Sequence, residues 1–206
     1  MAQDLHQATE LVFAKLPREW SFAALGAGDR WTVSAPDGSR LAGISEPLLK
    51  NPVRRAVQAM SPTYPVADRF HFLEFQDGHD VPLFVLEKLP VGRRRSGVWL
   101  PEGDELGTVS FSRSEVEAKK TCLSVRDATG AALAEVLRVK SPDFPSGFVN
   151  YAVHGATGGR IASLDGVPLA VDHWRGSYRM SLTAALSEPL HTLVLAAALA
   201  CPYMRL

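Results

Sequence analysis

The chain has 206 residues, and 46% of them are hydrophobic, enough for one sizeable core. Lys and Arg number 22, as do Asp and Glu, so the formal net charge is zero. This excludes bulk electrostatic attraction to nucleic acid or to an anionic membrane, and any such attraction has to come from a local patch.

Cys122 and Cys201 lie far apart and outside any CxxC spacing, so free buried thiols in a reducing compartment are expected. The opening stretch, MAQDLHQATELVF, carries no basic segment followed by an apolar run. It does not read as a secretory signal, and a cytoplasmic location is expected. Leu5, Ala8, Leu11, Val12 and Leu16 recur at helical spacing before Pro17. That spacing predicts an amphipathic helix within residues 1–18, packed on a main domain of residues 19–206.

From Trp31 the pattern becomes strand, turn, strand. WTVSA leads through Asp37-Gly38 to RLAGI, and RFHFLEF leads through Asp77-Gly78 to VPLFVLE. TCLSV leads through Asp127 to Gly130 into AALAEVLRV, and FVNYAV leads through Gly155 to Gly159 into RIASL. Turns of this composition between apolar runs predict hairpins, with glycine supplying the positive φ. With GVWL, GTVSFS and SYRMSLT the count is about ten to twelve strands. The unit resembles a weak internal repeat, but its uneven intervals disfavour a propeller.

Between hairpins lie Pro47 to Met60, read as a short basic helix or an irregular crossing, a Gly-flanked loop with three arginines, and the Pro-rich SPDFPSG. The last stretch reads SEPLHTLVLAAALACPYMRL. Ser187 suits an N-cap, Glu188 the positive end of a helix dipole, and Pro189 a first turn. Pro202 limits the predicted helix to about 12 residues, short of the ~20 a bilayer span needs. A helix apolar all round needs apolar surroundings on every side. A long antiparallel sheet also has to curl or close to lose its edges. The predicted architecture is therefore a closed antiparallel β-barrel of about twelve strands around a buried C-terminal helix, plus the N-terminal helix.

The strand–Asp-Gly–strand units at Asp37/Gly38 and Asp77/Gly78, the turn at Asp127 to Gly130, and the closing apolar helix with Tyr203 and Met204 give the chain a resemblance. From about Trp31 to Leu206 it resembles the tubby C-terminal-like superfamily, specifically its phospholipid-scramblase-like and LURP-one-like branches. The resemblance implies the same barrel and helix, and a lipid- or phosphoinositide-binding role without catalysis. In scramblases an acidic segment before the final helix is proposed to bind calcium. Here Ser177 to Glu188 holds Glu188 as its only acid, so calcium binding is not carried over.

Sought directly, chemistry is sparse. The histidines form no HxxxH or HExxH pattern, and His191 reads as a core or rim residue of the final helix. Asp172-His173 is the most enzyme-like pair, but no GxSxG accompanies it and neighbours on a strand face opposite ways. Gly155 to Gly159 lacks the lysine of a phosphate loop. Glu102, Asp104 and Glu105 read as a solvated turn. No catalytic residue, metal ligand or cofactor is expected.

The basic groups are the candidate site. Arg93, Arg94 and Arg95 are adjacent on one loop, Lys50, Arg54 and Arg55 lie in another segment, and Lys119 and Lys120 form a third group. Guanidinium groups bind phosphate oxygens in a bidentate fork, and each basic side chain near an anionic membrane is worth about 1 kcal/mol. The expected function is a lipid- or phosphoinositide-binding barrel at the inner membrane face, whose partners are anionic headgroups rather than nucleic acid. The alternative is a partner-binding scaffold. The lipid reading predicts a basic patch or an open apolar slot beside the helix, and the scaffold reading predicts a filled barrel with a large exposed apolar patch.

Overall fold

The structure is a computed structural model describing residues 5–16, 30–45, 71–88, 95–114, 117, 120–139, 147–169 and 176–204. Twelve strands follow one another: β1 (Glu10–Lys15), β2 (Arg30–Ser34), β3 (Arg40–Ser45), β4 (His71–Asp77), β5 (Pro82–Lys88), β6 (Arg95–Trp99), β7 (Glu105–Arg113), β8 (Thr121–Asp127), β9 (Ala132–Val139), β10 (Phe148–Gly155), β11 (Arg160–Pro168) and β12 (Ser177–Leu182). One helix, α1 (Leu190–Met204), ends the described chain. Consecutive strands pair antiparallel, and β1 closes the ring by pairing with both β12 and β2. The closed barrel with its C-terminal helix is the predicted architecture.

The N-terminal helix is not. Residues 10–15 form β1, with Leu11 opposite Met180 and Phe13 opposite Tyr178. Leu11 and Phe13 are buried and alternate with half-buried Val12 and Ala14, the period of a strand. Helical spacing holds from Leu5 to Leu11 only. Beyond it, two strand edges that would otherwise stay unpaired decide the local structure, as tertiary context often does.

The core forms by the same alternation around the ring. Trp31 and Val33, Leu73 and Phe75, Phe84 and Leu86, Leu123 and Val125, and Tyr178 and Met180 are all buried. Together they surround α1, whose Leu193 to Cys201 are buried without interruption. The helix contacts strands from β5 to β9 and β11. Its 15 residues exceed the predicted length, because Pro202 lies inside the last turn rather than beyond it. It also begins later than predicted. The His191 N–H donates to the Ser187 carbonyl at 3.0 Å, closing a turn just ahead of the helix, which starts at Leu190.

Because the strands form a meander, alternate connections share a rim. The connections β2–β3, β4–β5, β6–β7, β8–β9 and β10–β11 are tight turns at one end, and they are alike. In each, a first residue (Ala35, Asp77, Leu100, Asp127 or Gly155) donates its N–H to the carbonyl four residues on. The fourth residue (Gly38, Asp80, Gly103, Gly130 or Gly158) donates back to the first and has positive φ. A register shift sits just before each turn. The repeat read from sequence is this turn, and it takes in Leu100 to Asp104, the solvated turn of Glu102 and Asp104. In the second turn Asp80 at φ 62°, not Gly78, takes the left-handed position.

Candidate functional site

The turn rim receives three pieces of chain besides the hairpins: the residues before β1, the residues after β12, and the start of α1. Where they meet β5 and β7, a cavity of about 290 Å³ remains. Leu83 and Phe84 at the start of β5, Leu100 and Leu106 around the β6–β7 turn, and Leu195 of α1 form its apolar wall. His6 and Glu188 are the ionisable residues in its lining, and Thr192 is a further polar one.

At the edge of this cavity His6, Glu188 and His191 converge. Glu188 Oε1 stands 3.4 Å from His6 Nδ1 and 3.4 Å from His191 Nδ1. The two imidazole centroids are 5.1 Å apart with their planes tilted by 48°. His191 is buried at 1% exposure, whereas the side chains of His6 and Glu188 are half exposed. Glu188 and His191 are three positions apart in the turn leading into α1 and so present to one side. Sequence reasoning assigned no ligands here, since the cluster joins opposite ends of the chain.

The predicted basic site is only partly within the described residues. Arg93, Arg94, Lys50, Arg54, Arg55 and Lys119 lie outside them, as do Asp172 and His173. Arg95 Nη2 donates to Glu105 Oε1 at 2.8 Å, and Lys120 pairs with Glu117. Both pairs are solvent-exposed, a setting in which ion pairs contribute little. The strand ends flanking the three basic segments (β3 and β4, β5 and β6, β7 and β8) are contiguous around the rim opposite the cavity.

Three buried groups of the barrel are held in their protonated forms. Burial pushes the Cys201 thiol up, with no opposing charge, so it does not supply the thiolate that nucleophilic chemistry needs. Burial likewise raises the phenols of Tyr151 and Tyr178. Neither cysteine is in a disulfide, and both are buried. Among the described residues, no helix is long and apolar enough to cross a membrane.

No family model matches the chain, and no curated protein matches its sequence. Among solved structures, the chain is similar to an X-ray structure of a protein from Arabidopsis thaliana, with 13% identity and a TM-score of 0.49. The similarity spans 96% of this chain and 94% of that one.

Proposed function

We propose that this chain is a non-enzymatic lipid-binding barrel of the tubby-like kind that its sequence resembles, closest to the scramblase-like and LURP-one-like branches. The apolar part of the ligand enters the cavity beside Leu195. The observation that carries this reading is the cavity itself, an apolar slot of about 290 Å³ at the end of a barrel whose axis is filled by α1. Ligand pockets run from ~300 to 1,000 Å³, so this one suits part of an acyl chain rather than a whole lipid. At about 0.8 kcal/mol per buried methylene, such an insertion gives reversible binding.

The headgroup-facing surface in this proposal is the other rim. Arg93, Arg94, Arg95, Lys50, Arg54, Arg55, Lys119 and Lys120 lie on or between strands that end there, and weak surface pairs such as Arg95 with Glu105 exchange readily for phosphate. Cavity and basic rim are separated by the length of the barrel, so one lipid does not use both. The scaffold alternative shares the filled barrel but lacks, among the described residues, the large exposed apolar patch it calls for. Among the described residues the exposed large apolar side chains are Leu16, Val81 and Val139, which sit at the ends of different strands and form no patch.

Displacement of a fluorescent acyl-chain probe by fatty acids of increasing length tests the cavity. Saturable binding that is lost on filling the slot by Leu106→Trp is expected. Probe binding that Leu106→Trp leaves untouched would remove the cavity from the account. Co-sedimentation with anionic and neutral vesicles, comparing wild type with Arg93→Ser/Arg94→Ser/Arg95→Ser, tests the rim. Salt-sensitive binding to anionic vesicles should be lost in the triple variant.

A further inference from the structure

We propose that His6, Glu188 and His191 form a binding site for one divalent transition-metal ion of the zinc class. The proposal is independent of the lipid reading and rests on donor type, spacing and position. Zinc binds imidazole nitrogen and carboxylate oxygen at about 2.0–2.2 Å, usually tetrahedrally, which places two donor atoms about 3.4 Å apart. Both histidine–carboxylate separations in the cluster are 3.4 Å. All three residues offer a donor atom within 4.8 Å of the others, so a small swing of the half-exposed His6 side chain brings the third edge into range.

Two nitrogens and one oxygen select zinc, cobalt or nickel over calcium and magnesium, which take all-oxygen shells. This separates the site from a calcium site of the acidic-segment type. His191 provides the fixed donor, held by burial in the first turn of α1, while His6 and Glu188 close on the ion from half-exposed positions. Three protein donors leave a coordination position for water on the side where His6 and Glu188 line the cavity. The ion would tie the segment before β1 to the start of the helix, joining both ends of the chain at the barrel mouth.

Cobalt(II) is the probe, added to the full chain after chelator treatment. The expected result is one ion per chain, with visible absorption of tetrahedral intensity that zinc(II) abolishes by displacement. His6→Ala and Glu188→Gln, both at half-exposed positions and so safe for the fold, should each weaken uptake at least tenfold with an unchanged circular dichroism spectrum. His191 is left intact because it is part of the core. No uptake by the wild type at a few-fold excess of cobalt overturns the proposal. So does uptake that survives either substitution at wild-type strength, or a stoichiometry well above one, which marks scattered surface binding.

Discussion

The hydroxyl of Tyr178 on β12 donates a hydrogen bond to the carbonyl oxygen of Ala198 in α1 at 3.1 Å. Ala198 is the residue whose carbonyl would accept from position 202 in an uninterrupted helix, and position 202 is proline, which has no N–H. The barrel wall therefore supplies the donor that the helix lacks, at a site with no access to water. This is why Pro202 does not end the helix. Farther along, Trp31 Nε1 donates to the Tyr203 hydroxyl at 3.1 Å, fastening the last turn to β2.

Tyr178→Phe keeps the ring stacked on Phe13, whose centroid lies 4.9 Å away, and removes only the donor. A buried carbonyl left unserved costs about 1–3 kcal/mol, and that loss is expected in urea denaturation. In a Pro202→Ala background the backbone N–H returns, and Tyr178→Phe should cost clearly less. Equal losses in both backgrounds would mean that the tyrosine does not stand in for the missing amide.

Gly107 is where β7 approaches both its neighbour and the helix. A Cβ there would lie 2.2 Å from the Arg126 carbonyl oxygen and 3.0 Å from Leu193 Cδ2. The obstacle is backbone, so it cannot swing aside, and Gly107→Ala is expected to destabilise the fold by at least the ~1–3 kcal/mol of an overpacked core. Gly97 is the control. Its added Cβ would meet the Trp99 indole at 2.6 Å, a half-buried side chain rather than backbone, so Gly97→Ala should lower the melting temperature less.

The turn aspartates give the fold an acid limb. Asp127 Oδ1 accepts from the Thr129 hydroxyl and from the backbone N–H groups of Thr129 and Ala131, and these bonds hold its carboxyl below the usual range. Asp77 is lowered chiefly by the Val81 N–H, and Asp37 chiefly by the Ser39 hydroxyl. A carboxyl depressed in the folded state adds stability that is complete above its unfolded value near ~3.9 and is lost as pH falls through the folded value. Amide exchange at Thr129 and Ala131 should therefore be slow and constant in its opening equilibrium above about pH 4, then accelerate below it. Asp127→Asn keeps an acceptor oxygen and should remove most of that acid dependence. An opening equilibrium equally acid-sensitive in the variant would assign the effect elsewhere.

The turn rim is the part of the molecule most legible in the sequence, because a tight hairpin is decided by the few residues inside it. Three of its five members announce themselves through Asp and Gly, a fourth, Gly155 to Gly159, through glycines alone, and the fifth, Leu100 to Asp104, hides its Gly103 among acids. The helix is equally legible as an apolar run, but its end is not. Whether Pro202 stops it depends on Tyr178, a residue on another element. Nothing local marks the cavity or the His6–Glu188–His191 cluster, since both arise where chain ends distant in sequence meet.

The segment before β2 is the clearest case of context overriding pattern, and it leads to a direct test. As an appended amphipathic helix it could be removed with little effect on the barrel. As β1 it supplies the pairing partner of β12 and β2, and its Phe13 is fully buried against Tyr178. Deleting residues 1–16 would expose two facing strand edges, a template for pairing with other chains. Phe13→Ala alone should cost about 3–5 kcal/mol. Size-exclusion chromatography and thermal melts of both variants decide the matter. The truncated chain is expected to be aggregated or unfolded, and Phe13→Ala soluble but with a much lowered melting temperature. A truncated chain that stays monomeric with the wild-type melting temperature would show that the barrel closes without β1.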